Sequence, residues 1–85
     1  MPKYTVVVTK SAQKQLDKLS DHIAHPILSA ISDLANNPRP HGCKKLKGRS
    51  SYRIRKGDYR IIYDIFDLVL VVDVIAIGHR KNIYD

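Results

Sequence analysis

One stretch of the chain constrains its fold more than any other: the apolar run from Leu68 to Ile77, which only Asp73 interrupts. Valine and isoleucine dominate this run, and β-branched residues are enriched in strands. The run is far shorter than the ~18 residues that a membrane span requires. Such a run is typical of a central strand that is buried on both faces of a sheet. In a chain of 85 residues, we expect one domain, residues 1–85, whose elements share one core.

The rest of the chain divides into helices followed by strands. Apolar residues at helical spacing predict a helical hairpin, with Ser11 capping the first helix and Ser20 or Asp21 preceding the second. Pro26 removes a backbone donor, so the second helix either begins late or bends there. Alternating patterns predict strands over 3–9, 51–56, 59–66 and 68–77, with a short extra strand over 44–47. The order β-α-α-β-β-β predicts an α+β fold, a small antiparallel β-sheet with an N-terminal helical hairpin packed on one face.

Charge is distributed unevenly along the sequence. The net charge is +7, but residues 39–60 hold nine basic residues and one acid, whereas residues 61–73 hold three aspartates and no base. A merely solvated surface would not separate the two signs in this way. We therefore interpret the basic segment as a binding surface for a polyanion such as nucleic acid. All eight acids are aspartates, so no glutamate is available as a general base.

Strand alternation predicts how the basic segment is presented. Successive side chains of a strand point to opposite faces, so Arg53 and Arg55 point away from the helices. Arg60 lies just past the next turn and can join them, since residues near one turn are neighbours across an antiparallel pair. A cluster of guanidiniums is suited to holding a phosphate. The alternative is structural, with each arginine paired to one of the acids Asp64, Asp67 and Asp73.

The C-terminus contains a second group of functional residue types. His79, Arg80 and Tyr84 place an imidazole, a guanidinium and an aromatic ring within six residues. A ring beside cations can hold an unstacked RNA base while the cations bind its backbone. A histidine at the end of a strand is about as often a structural hydrogen-bonding group, so both roles of His79 stay open.

The cysteine, the histidines and the N-terminal residues indicate the cellular compartment and whether the site holds a metal. The single cysteine, Cys43, cannot form an internal disulfide and suits a reducing cytosol. The four histidines have no metal-ligand spacing, so we expect no metal and no other cofactor. The N-terminal residues lead directly into a predicted strand without an apolar signal region. We therefore expect a cytoplasmic protein that makes no membrane contact.

Four short motifs in this order resemble the RelE-type toxins of type II toxin–antitoxin systems. They are Lys45-Leu46-Lys47-Gly48, Tyr52-Arg53-Ile54-Arg55, Asp58-Tyr59-Arg60-Ile61-Ile62-Tyr63, and Val74 to Arg80 followed by Ile83-Tyr84. The N-terminal strand, the helical hairpin and the Asn-Pro-Arg loop also fit. The resemblance therefore covers nearly the whole chain.

The resemblance implies a metal-independent endoribonuclease that cleaves mRNA, usually in the ribosomal A site, and so inhibits translation. The ribose 2′-hydroxyl attacks the adjacent phosphate in this family. By position, Arg60 resembles the phosphate-stabilising arginine, Arg80 the arginine at the leaving group, and Tyr84 the aromatic that orients a nucleotide. The best-known members carry lysines where this chain has Arg53 and Arg55. A guanidinium is a poor general base, so we expect Arg55 to give electrostatic support, with proton transfer shared by His79 or left to the ribosome and substrate.

The expected partners follow from the same resemblance. They are mRNA and the ribosome, and a cognate antitoxin with an acidic or amphipathic segment, in an assembly that can grow on operator DNA. The basic residues expected to contact RNA or the ribosome are Lys44, Lys45, Lys47, Arg49, Arg53 and Lys56. Two alternatives remain: a ParE-like toxin of the same fold that poisons DNA gyrase, and a non-catalytic module that binds nucleic acid.

Overall fold

The structure is a computed structural model that describes residues 3–81. Its elements, in chain order, are β1 (Thr5–Val8), α1 (Lys10–Asp17), α2 (Asp21–Asp33), β2 (Lys44–Lys45), β3 (Tyr52–Lys56), β4 (Tyr59–Phe66) and β5 (Val71–His79). The α+β class and the helical hairpin are confirmed. Among residues 3–81, no helix has the length and apolar character needed to cross a membrane.

The two helices begin where short polar side chains precede them. Thr9, not Ser11, caps α1, because the Thr9 hydroxyl accepts a hydrogen bond of 3.2 Å from the Ala12 amide. The prediction of Ser11 was therefore wrong by two residues. Ser20 precedes α2 as expected, and this helix runs unbroken from Asp21 through Pro26, whose ring lies on the exposed side. Of the two alternatives predicted for Pro26, a late start and a bend, the late start is not observed, because α2 begins at Asp21.

The five strands form one sheet in the order β1-β5-β4-β3-β2. All neighbouring pairs are antiparallel except β1 and β5, which run parallel. The sheet is thus mixed and not wholly antiparallel as predicted, because β1 joins β5 as a parallel edge strand. Both helices pack on one face, where a core forms from the buried residues Ala12, Leu16, Ala24, Ile27, Ile31, Leu34, Ile54, Ile61, Tyr63, Val72, Val74 and Ile77.

Strand β5 differs from its prediction in position and in burial. Leu68 to Leu70 belong to the turn after β4, since Leu70 has a left-handed φ of 56° and Leu68 is fully exposed. The strand therefore begins at Val71 and ends at His79. It is an inner strand as expected, but burial on both faces was wrong: Val72, Val74 and Ile77 are buried towards the helices, whereas Asp73 and Ala76 on the other face are half-exposed.

One extra residue interrupts the pairing of β4 with β5. Ile62 pairs with Ala76, but Tyr63 pairs with Val74, so Ile75 has no opposite residue and forms a β-bulge. The bulge changes which residues point to the core, from Val74 before it to Ile77 after it. The Gln15 side chain accepts a 2.8 Å hydrogen bond from the Ile77 amide, so helix α1 supports β5 just past the bulge.

The capping contact at Thr9 can be tested by removing its hydroxyl. We expect Thr9→Ala to lower the free energy of unfolding by about 1 kcal/mol, because the Ala12 amide loses its acceptor. Ser11→Ala is the matched control, and it should change stability by less than about 0.5 kcal/mol because Ser11 is exposed within the helix. Urea unfolding measures both, and equal losses in the two variants would contradict the assignment.

Candidate active site

Two of the three arginines predicted to form one cluster, Arg55 and Arg60, come together at the hairpin that joins β3 and β4, whereas Arg53 lines a different groove. Gly57 has a left-handed φ of 59°, which glycine adopts without strain, and Lys56 pairs with Tyr59 to close this two-residue turn. Arg55 pairs directly with Arg60 one step further from the turn. The prediction that these two arginines are neighbours on the face away from the helices is confirmed by this register.

Arg80 reaches the same place from the end of β5. Its backbone amide donates a 2.8 Å hydrogen bond to the carbonyl oxygen of Asp58. Its guanidinium Nε lies 3.9 Å from Oδ1 of Asp58, with both side chains exposed. An exposed pair at this distance contributes little to stability, so its main consequence is to place a carboxylate beside a guanidinium.

These side chains surround a cleft of about 190 Å³, the arginine cleft, lined by Arg55, Gly57, Asp58, Tyr59, Arg60 and Arg80. Three guanidiniums and one carboxylate give the lining a net positive charge. Guanidiniums present several N–H donors in a plane that matches the oxygens of a phosphate. The cleft is therefore suited to a phosphodiester, with a carboxylate at its wall.

Asp58 is the residue that the sequence analysis did not single out. Of the residues that the structure describes, it is the one acid that lines the arginine cleft. The available signal was its position as the single acid among the nine basic residues of 39–60. The β3–β4 turn brings this carboxylate beside the arginines.

His79 lies on the other side of the sheet from the cleft arginines. It pairs with Tyr59, whose ring it meets edge to face at 5.4 Å, whereas Arg60 pairs with Gly78. Neighbouring residues of a strand point to opposite faces, so His79 turns towards the helices and lines a separate cleft with Gln15 and Lys18. Its Nδ1 accepts a 3.2 Å hydrogen bond from the Lys81 amide. These contacts fit a structural histidine, and its catalytic role stays a prediction.

The remaining predicted residues divide between exposed and buried positions. A groove of about 410 Å³ is lined by Lys44, Lys45, Leu46, Lys47 and Arg53. Arg53 is only 4% exposed, so it presents little surface to a large ligand. Arg49 and Lys56 are exposed and lie outside this groove. Tyr84 lies outside the described residues.

Arg39, although part of the basic segment, belongs to a structural contact. Its guanidinium donates hydrogen bonds of 3.2 and 2.9 Å to the two carboxylate oxygens of Asp67, and the Tyr4 hydroxyl donates a third of 2.6 Å. These donors lower the pKa of Asp67 to about 2, with Arg39 as the larger cause. Arg39 also lies over the Tyr52 ring, 5.2 Å from its centroid. Asp67 is thus engaged by Arg39, at the end of β4 remote from the arginine cleft.

Known toxins match this chain in sequence and in structure. Residues 6–84 match the family described as ParE toxin of type II toxin-antitoxin system, parDE. Toxin RelG of Mycobacterium tuberculosis is 33% identical over 84 residues, which are 95% of this chain and 95% of that protein. A chain of the RelBE2 toxin–antitoxin complex from the same organism has a TM-score of 0.81 at 30% identity, covering 96% of this chain and 97% of that one. A chain of the archaeal RelE–RelB complex from Pyrococcus horikoshii OT3 has a TM-score of 0.83 at 28% identity, with coverage of 95% and 99%.

Proposed function

This chain belongs to the RelE/ParE family of toxins of type II toxin–antitoxin systems, and we propose that it acts as an endoribonuclease that cleaves messenger RNA, in the ribosomal A site. The observation that carries the proposal is the arginine cleft, where Arg55, Arg60 and Arg80 surround a space with Asp58 at its wall. A toxin that only occupied a protein surface would have little need for three guanidiniums around one small cleft.

The proposed reaction is a transesterification within the RNA. The ribose 2′-oxygen forms a bond to the adjacent phosphorus, and the bond from phosphorus to the 5′-oxygen of the next nucleotide breaks. The products are a 2′,3′-cyclic phosphate and a free 5′-hydroxyl. Negative charge grows on the non-bridging oxygens and on the leaving oxygen in the transition state, so cations held at those positions lower the barrier.

We assign each residue of the arginine cleft a role in this reaction according to its position. Arg55 and Arg60, paired across β3 and β4, are assigned to the non-bridging oxygens of the scissile phosphate. Arg80 is assigned to the leaving 5′-oxygen, which it stabilises until that oxygen takes a proton from water. Since a guanidinium stays protonated in proteins and is a poor base, we assign acceptance of the 2′-hydroxyl proton to Asp58, which later returns it to solvent.

The proposed partners are a cognate antitoxin, mRNA and the ribosome. The similar solved structures include RelE–RelB complexes from bacteria and archaea. The lysines of the groove on β2, together with exposed Arg49 and Lys56, would contact the phosphates of mRNA or ribosomal RNA. An antitoxin segment that covers this basic surface with acidic residues would block it.

The matching family description, which names the ParE toxin, favours one second candidate, a toxin that poisons DNA gyrase. The two functions separate in cell extract. Codon-positioned 5′ ends on a reporter message support the nuclease, whereas inhibited supercoiling with intact message supports gyrase poisoning. Binding of RNA without either effect would indicate a non-catalytic module.

Replacement of the cleft arginines tests the electrostatic part of the proposal. We expect Arg60→Ala and Arg80→Ala each to lower the rate of mRNA cleavage by about 10²–10³-fold, because each removes a donor from the developing charge. Both should also relieve growth arrest on expression. Lys14→Ala, which removes an exposed cation of α1 that lines neither the cleft nor the groove on β2, is the control and should remain toxic. If both cleft variants keep the fold by circular dichroism and remain toxic, the assignment of the arginine cleft as the active site is wrong.

Replacement of Asp58 tests proton transfer separately. We expect Asp58→Asn to lower the single-turnover cleavage rate by about 10²–10⁴-fold, the usual contribution of a general base, because the amide cannot accept the proton. The asparagine keeps the shape of the side chain, and the backbone bond to Arg80 is unaffected. Asp33→Asn, at the exposed end of α2, is the control. Equal rates in the two variants would show that Asp58 accepts no proton.

A further inference from the structure

A second cleft adjoins the arginine cleft on the other side of the β3–β4 turn. It has a volume of about 280 Å³ and is lined by His22, Ile23, Pro26, Lys56, Gly57, Asp58 and Tyr59. Gly57, Asp58 and Tyr59 line both clefts. A molecule that reached from one cleft into the other would therefore pass along this turn.

Planar and apolar groups form the wall of this second cleft, and their neighbours hold them in place. The Tyr59 ring packs against the core and meets the His79 ring edge to face at 5.4 Å. The Ser20 hydroxyl lies 3.2 Å from Nδ1 of His22. Ser20 precedes α2 but forms no side-chain hydrogen bond to the helix amides, although serine is a preferred capping residue. The hydroxyl instead fixes His22 at the mouth of the cleft.

The position of Pro26 inside α2 is explained by its contact with the second cleft. A proline inside a helix costs a backbone hydrogen bond, and the core does not require it, because it lies on the exposed side of α2. Its ring faces the second cleft together with His22 and Tyr59. The helix therefore contributes two rings to a cleft whose opposite wall is the turn of the arginine cleft.

We propose that this second cleft binds a nucleobase of the RNA, namely the base of a nucleotide next to the phosphate held by the arginines. The inference rests on the proposed function. Rings and apolar side chains supply surfaces on which a base can stack. At the rim, the Asp58 carboxylate can accept hydrogen bonds from amino or imino groups of the base, and the Lys56 ammonium can donate to ring nitrogens or carbonyl oxygens. The cleft thereby contributes to the choice of cut site.

Continuity with the arginine cleft favours a nucleobase over an apolar anchor from an antitoxin. A nucleotide joins its base to its phosphate through one sugar, and the two clefts share three consecutive residues. An aliphatic anchor would leave the rim charges of Lys56 and Asp58 without hydrogen-bonding groups opposite them, which a base provides.

The test compares two exposed histidines of the same helix. His22 lines the second cleft, whereas His25 lines a different groove with residues of α1. AMP, CMP, GMP and UMP are titrated into the wild-type, His22→Ala and His25→Ala proteins and followed by amide NMR. We expect nucleotides to shift the His22 and Tyr59 signals of the wild type, and His22→Ala to bind about tenfold more weakly. His25→Ala should bind as the wild type does.

Equal nucleotide affinity of the two variants would overturn the proposal. The proposal is also overturned if no nucleotide shifts the His22 and Tyr59 signals of the wild type but an antitoxin segment does. That result would assign the cleft to the antitoxin. Mapping of mRNA 5′ ends separates this inference from the proposed function. Cleavage by the wild type with an unchanged cut-site distribution in His22→Ala overturns the nucleobase site alone. Nucleotide binding at His22 by a protein that cuts no RNA overturns the nuclease alone.

Discussion

The bulge at Ile75 decides which side chains of β5 reach which face of the sheet. Ahead of it, Val72 and Val74 point to the core, and beyond it Ile77 takes that place. Because alternation continues from Ile77, His79 turns towards the helices and meets Tyr59, and Gly78 lies opposite Arg60. A regular strand would have placed His79 on the arginine face. The composition of the candidate active site therefore depends on one inserted residue.

Because of the bulge, the candidate active site contains guanidiniums and the Asp58 carboxylate, whereas the His79 imidazole lies on the other face of the sheet. Arg80 follows directly from the end of β5, and its amide is bonded to the Asp58 carbonyl. The β3–β4 turn and the end of β5 are thereby fixed against each other. The Arg39–Asp67 contact stabilises the opposite end of β4, where it joins the β4–β5 turn to the loop before β2. The basic segment thus contains one structural arginine, Arg39, and two arginines of the cleft, Arg55 and Arg60, which Arg80 joins from the end of β5.

Much of this arrangement could be predicted from the sequence. Two-residue alternation correctly predicted the bounds of β4 and the opposite faces of Ile54 and Arg55, because the period of a strand leaves few choices once a turn is recognised. The grouping of Arg55 with Arg60 followed from the Gly57-Asp58 turn.

The errors came from contacts that periodicity does not encode. A bulge has no local signature in a run of valine, isoleucine and alanine, so the orientation of His79 could not be read from it. Thr9 caps α1 although serine is the more favoured cap by type, and the amide of Thr9 is bonded to the Val74 carbonyl of β5, a contact distant in sequence. The parallel pairing of β1 depends on the path of the helical hairpin. Asp58 was missed because its importance comes from a neighbour, Arg80, that is distant in sequence.

The most direct test of the central claim, that the arginine cleft promotes attack by a ribose 2′-oxygen on a phosphate, uses a message with one altered sugar. A 2′-deoxy nucleotide is placed immediately 5′ of a mapped cut, and in a control message it is placed one nucleotide away. The product ends are then mapped on programmed ribosomes. We predict that cleavage at the altered position is lost while the control message is still cut, leaving a 2′,3′-cyclic phosphate. Continued cleavage at the 2′-deoxy position would contradict it.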